Sequence, residues 1–230
     1  MIIGGKDLLN GKRFDKGGYI LTYDYDKWSF IDPKEAQKKL NLPRNPRDYT
    51  SIAVTTDDSN DEIVYASSMG DGVIQYKNGT PVQSYNEKNA FKETAGGYGS
   101  GYCYIDGLAF DKNGNLWMTS SEVNHAVLVL DKAGAWHRLD IEQLRGVYTI
   151  NDILITSTND KWIYVPRNTP KLVMIPNSES LDEVSSYEFT TLIDTDGKEL
   201  TPSNYTCVAE DKDGYIWVCL LYTSPSPRDA

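Results

Sequence analysis

The chain has 230 residues, 40 % of them hydrophobic, and its 23 basic and 33 acidic side chains leave a formal charge of −10. An acidic chain with no Lys/Arg cluster cannot neutralise a phosphate backbone, which argues against a nucleic-acid surface, and no run of about 18 apolar residues is present to cross a membrane as a helix. Its cysteines, Cys103, Cys207 and Cys219, have neither the spacing of a disulfide framework nor that of a metal motif.

Met1 to Gly5 carry no basic stretch leading into a long apolar run, so no leader is read there, and the start is expected to fall inside a strand. "GYILTYDYDKWSFID" (Gly18–Asp32) alternates apolar and polar positions around a polar turn and is predicted to be a hairpin; "DPKEAQKKL" (Asp32–Leu40) is predicted to be a short helix. "TSIAVTTDDSNDEIVYASS" (Thr50–Ser68) and "GVIQYKNGTPVQSY" (Gly72–Tyr85) are two more hairpins.

"TAGGYGSGYCY" (Thr94–Tyr104) is rich in glycine, but it leads into a strand and offers no helix N-terminus to hold an anion. It is read as a loop whose Tyr98, Tyr102 and Tyr104 are the candidate ligand-recognition residues, because tyrosine combines rigid apolar area with a hydroxyl. Packing uses the same rings equally well.

Beyond it come "IDGLAFDKNGNLWMTSS" (Ile105–Ser121), "AVLVLDKAGAWHRLD" (Ala126–Asp140), a short helical turn at "IEQLRG" (Ile141–Gly146), "INDILITSTNDKWIYV" (Ile150–Val165) and "TCVAEDKDGYIWV" (Thr206–Val218). Trp117, Trp162 and Trp217 fall at one repeating position, which Val64 is expected to fill upstream, at intervals of 53, 45 and 55 residues. Two hairpins in each period of about 50 residues make four strands, the signature of a β-propeller blade.

The expectation is therefore all-β: a β-propeller of four-stranded antiparallel blades, as an incomplete ring. One blade ends by residue 32, others occupy 50–85, 105–140 and 150–190, and the next begins at 205–218. "CLLYTSPSPRDA" (Cys219–Ala230) resembles the in-frame translation of an adapter used to prepare sequencing libraries, which makes 1–218 the propeller and 219–230 a non-native tail.

The Asp-x-Asn/Asp-Gly stretches at Asp111 and Asp211 are read as hairpin turns, since they lack the third acidic ligand and the closing Glu of a calcium loop. His125 and His137 have no second ligand at metal spacing and are read as surface residues. No Ser/His/Asp set or carboxylate pair emerges, so no catalytic, cofactor-binding or metal residue is assigned.

The repeats "DGLAFDKNGNLWMTSS", "INDILITSTNDKWIYVP" and "CVAEDKDGYIWV" resemble those of the two-component regulator propeller family. Together with "IIGGKDLLNGKRFDKGGYILTYDYDKWSFID", "VLVLDKAGAWHRLDI" and "LIDTDGKELTPSNYTCVAEDKDGYIWV" in that order, they are most similar to the surface propeller proteins of the Por (type IX) secretion system of Bacteroidota. That resemblance implies a non-enzymatic protein of the periplasm or cell surface, without cofactor, whose partners are secretion-machinery proteins or lipopolysaccharide. Two alternatives stand beside it: the periplasmic glycan-sensing half of a hybrid histidine kinase, and a regucalcin-type metal-dependent lactonase. The lactonase would have to draw on Asp106, Asn151 and Asp152, and no partner Glu matches in another repeat.

Overall fold

In the computed structural model, which describes residues 2–3, 14–91 and 101–221, the alternating segments form antiparallel strands with the helix confined to connections. The first sheet is β1 (Ile2–Ile3), β2 (Tyr19–Asp24) and β3 (Lys27–Ile31). Asp32 caps the following helix α1 (Pro33–Leu40) by accepting from the Lys34 N–H, and Asn41 ends it in the left-handed conformation.

Next come β4 (Tyr49–Thr56), β5 (Glu62–Gly70), β6 (Gly72–Lys77) and β7 (Thr80–Tyr85), each pairing with its neighbour in sequence. The same order recurs in β8 (Cys103–Phe110), β9 (Leu116–Ser120), β10 (Val127–Leu130) and β11 (Trp136–Leu139), and again in β12 (Ile153–Ile155), β13 (Lys161–Val165), β14 (Lys171–Ile175) and β15 (Tyr187–Phe189). After the two-residue strands β16 (Leu192–Ile193) and β17 (Glu199–Leu200), β18 (Asn204–Glu210) and β19 (Ile216–Leu221) open a further blade. Cys219, Leu220 and Leu221, set apart from the propeller on sequence grounds, continue β19 and pair with Cys207, Tyr205 and Asn204.

One turn chemistry builds most hairpins. In the turns at Asp57, Asp111, Asp131, Asp194 and Asp211 the Asp N–H donates to the carbonyl four residues on, and the N–H three residues on donates back, at 2.9–3.1 Å. The Asp Oδ1 also accepts a backbone N–H of the turn, as from Asn113 and Asn115 at 2.9 and 2.8 Å. Two residues before the second strand stands Gly or Asn at positive φ, from Asn60 at 62° to Gly134 at 90°. Each carboxylate is thus occupied as a turn staple, in keeping with the turn reading.

Between sheets lie apolar seams. Ile20 and Ala36 pack with Tyr49, Ile74 and Tyr76 between the first and second blades; Ala53, Tyr65 and Val73 meet Ile105, Met118 and Leu128 between the second and third. Trp117, Val127 and Val129 meet Ile153, Ile163 and Val173 between the third and fourth, and Tyr164 and Leu172 meet Tyr205, with Trp162 and Val218 alongside, between the fourth and fifth. Sheet therefore stacks on sheet as propeller blades do.

The repeating aromatic position is filled upstream by Tyr65, not Val64. Tyr65 pairs with Ala53 as Trp117 pairs with Ala109 and Trp217 with Ala209. Val64 points the other way, into the seam with Ile20, because a one-residue step along a strand changes face.

Candidate functional site

Two residues beyond Tyr65, Trp117 and Trp162, a hydroxyl reaches across to the start of the next blade. Ser67 Oγ donates to the Asp106 carbonyl at 3.0 Å, Thr119 Oγ1 to the Asn151 carbonyl at 2.9 Å, and Tyr164 Oη to the Thr206 carbonyl at 3.2 Å. These acceptors stand at one register, three residues before Ala109, Leu154 and Ala209, which face Trp117, Trp162 and Trp217. Thr50 adds a bond to the Ile105 carbonyl at 2.6 Å, and Ser121 accepts from the Ile150 N–H at 2.8 Å. The result is a polar seam along the inner strands, where a buried backbone group without a partner would be costly.

The residues considered for a lactonase belong to this seam. Asp106 is buried and accepts from Ser121 Oγ at 2.5 Å, Asn151 donates to Tyr164 Oη at 2.7 Å, and the exposed Asp152 accepts the Ile153 N–H at 2.9 Å. Among the described residues no group of three His, Cys, Asp or Glu side chains is placed to hold a metal ion. Thr119 carries two of the seam's bonds, since it also accepts the Gly107 N–H at 2.8 Å. Thr119→Val keeps the shape and removes both, and is expected to cost about 1–2 kcal/mol in the denaturant midpoint of the chain.

Of the candidate recognition tyrosines, Tyr102 and Tyr104 are 5 % and 2 % exposed, meet edge to face at 6.4 Å, and pack with Met69; Tyr98 lies outside the described residues. Burial, reinforced by the neighbouring Asp106 charge, pushes the Tyr104 hydroxyl well above its ordinary range. Cys103 between them is buried too, and desolvation pushes its thiol up to about 12, so it is held as a thiol and not as a reactive thiolate.

Tyr102 also borders a cleft of about 500 Å³ beside Leu42, Arg44, Asp71, Glu87 and Lys88. Asp71 is the organiser of its wall. Its carboxylate takes Arg44 Nε at 2.8 Å and the Arg47 N–H at 3.0 Å, while its own N–H donates to Ser68 Oγ at 3.1 Å. A mixed-charge cleft with an aromatic margin suits a polar ligand or a protein segment better than an apolar one. Glycine at 70 and 72, both at positive φ, was the sequence signal for the kink that turns Asp71 into it.

The model of the two component regulator propeller family matches residues 199–220, so the hairpin of β18 and β19 carries that repeat. No curated protein matches the sequence. Among solved structures, PorZ, a bacterial surface component of the type IX secretion system of Porphyromonas gingivalis, is similar with a TM-score of 0.76 and 20 % identity over 89 % of this chain and 28 % of that one. An extracellular domain assigned to a hybrid two component system of B. thetaiotaomicron is similar with a TM-score of 0.54 and 18 % identity over 90 % of this chain and 24 % of that one. The shared property is the propeller fold, and this chain spans about a quarter of the length of each of those two proteins. A protein described as a 6-phosphogluconolactonase from Bacteroides uniformis, at TM-score 0.46 and 12 % identity over 87 % of this chain and 63 % of that one, is too distant to bear on activity.

Proposed function

We propose that the chain is part of a non-enzymatic β-propeller of the periplasm or cell surface that assists type IX secretion by binding secretion-machinery proteins or lipopolysaccharide. The observation that carries this reading is the closer fit to PorZ, at a TM-score of 0.76 against 0.54 for the two component sensor domain. The occupied carboxylates of the hairpin turns and the inner seam favour a binding module over a metal-dependent hydrolase, because the side chains a metal would need already serve the turn backbone, as Asp111 does, or a neighbouring hydroxyl, as Asp106 does. The cleft lined by Arg44, Asp71, Glu87, Lys88 and Tyr102 is the proposed contact surface.

The glycan-sensing half of a hybrid two-component protein is the second reading, supported by the match of residues 199–220 to the regulator propeller model. Deleting the gene in its own host separates the two. Loss of cargo proteins from the cell surface supports the secretion reading; intact cargo with a lost transcriptional response to one glycan overturns it in favour of the sensor.

A further inference from the structure

His137 lies on β11 at the outer margin of the third blade, and each of its ring nitrogens faces a carboxylate. Nε2 is 3.1 Å from Asp131 Oδ2, in the turn that precedes its own strand. Nδ1 is 3.1 Å from Asp182 Oδ1, in the connection 176–186 that leads from β14 to β15 of the fourth blade. A neutral imidazole has one N–H and one lone pair, whereas carboxylates only accept, so both contacts are hydrogen bonds only when the ring carries two protons.

The 176–186 connection is a strap over the seam between those blades. Leu181 and Val184 pack against the cluster that contains Trp117 and Leu139. At its start Asn177 is tied within the fourth blade, its N–H donating to Asp160 Oδ1 at 2.8 Å and its Oδ1 accepting from Asn159 Nδ2 at 2.9 Å; at its end Ser186 Oγ donates to Gln143 Oε1 at 2.9 Å, a neutral bond. Asp131 and Asp182 are the charged groups that act on the imidazole; the adjacent Arg138 is turned away to donate to the Ala90 carbonyl, and His137's partner across the ladder is the apolar Val129.

We propose that His137 is a proton-operated pin: its imidazolium holds the 176–186 strap onto the third blade, and loss of the proton releases the strap. With a neutral ring, one of the two contacts must break, and two carboxylates are left facing each other with no cation between them. The hydrogen bonds to Asp131 and Asp182 raise the ring above the ordinary histidine value, so the pin is complete below that value and is lost as pH rises through the raised one. Release uncovers Leu181, Val184 and the apolar seam beneath them, which makes the exposure of this margin dependent on ambient pH.

The test is hydrogen–deuterium exchange of the whole chain at about pH 5.5 and about pH 8, corrected for intrinsic exchange rates. Peptides covering 176–186 are expected to exchange about two- to fivefold faster at the higher pH, the range of a part-exposed ion pair, while peptides of β9 and β10 do not change. In His137→Gln the pH difference should vanish, and in His125→Gln it should persist. Equal protection of the strap at both values, or an unchanged pH difference in His137→Gln, overturns the pin. Should His137→Gln fail to fold, Asp182→Asn at a largely exposed position serves in its place: a smaller pH difference supports the proposal, an undiminished one sinks it.

Discussion

Trp117→Ala is expected to cost about 3–5 kcal/mol, the range for truncating a large buried aromatic, whereas Trp217→Ala should cost within about 1 kcal/mol. The two side chains are otherwise alike. Each follows an Asp-x-x-Gly turn, and each indole N–H donates to the Asp that opens that turn, at 2.9 Å to Asp111 and 2.7 Å to Asp211. What differs is the neighbour: Trp117 is 1 % exposed between two blades, and Trp217 is 65 % exposed. Trp117 also lies under Lys161, whose Nζ is 4.5 Å from the ring centroid and whose ammonium is disfavoured by burial, so truncating the ring removes a cation–π partner as well as apolar area. Denaturant titration of the two variants against the parent chain checks the contrast. Equal losses would mean that the face around Trp217 is covered in solution, and would point to association of the chain through it.

The blades were legible because their signals are local. The short apolar runs of β5, β8 and β9, buried along nearly their whole length, mark them as strands between two seams, and an Asp five residues before the second strand, with Gly or Asn at positive φ three residues after it, closes the hairpin. The helix α1 was readable for the same reason, its cap and stop lying within ten residues of one another. Register was harder: Val64 and Tyr65 are both good strand residues, and only pairing with Ala53 decides which of them takes the aromatic position. Least legible was whatever joins distant segments. The hydroxyl of Thr119 finds its acceptor at Asn151, and His137 finds Asp182 on another blade, contacts that no spacing rule contains. Tyr102 and Tyr104 illustrate the remaining limit, since a tyrosine that packs and one that recognises a ligand have the same neighbours in sequence, and burial alone distinguishes them.

Gly72→Ala is the other substitution with a large expected effect, about 2–4 kcal/mol, combining overpacking of about 1–3 kcal/mol with about 1 kcal/mol for a left-handed backbone. Gly72 sits at φ 77°, and a Cβ there would stand 2.1 Å from the Tyr85 carbonyl oxygen and 3.2 Å from the Phe91 ring. The first contact is with backbone of β7, which is held in the ladder with β6, so it cannot be relieved by turning a side chain. Gly134, at φ 90° with nothing within 4 Å of its Cβ position, provides the comparison: Gly134→Ala carries the backbone cost alone, about 1 kcal/mol. The difference between the two measures the clash. It also reaches the cleft, because Gly72 follows Asp71, whose carboxylate holds Arg44 and the Arg47 N–H. A displaced β6 start must move that carboxylate. Gly72→Ala should therefore weaken any ligand of the Arg44–Asp71 wall beyond what its stability loss explains, whereas Gly134→Ala, on a turn of the third blade, should leave binding unchanged.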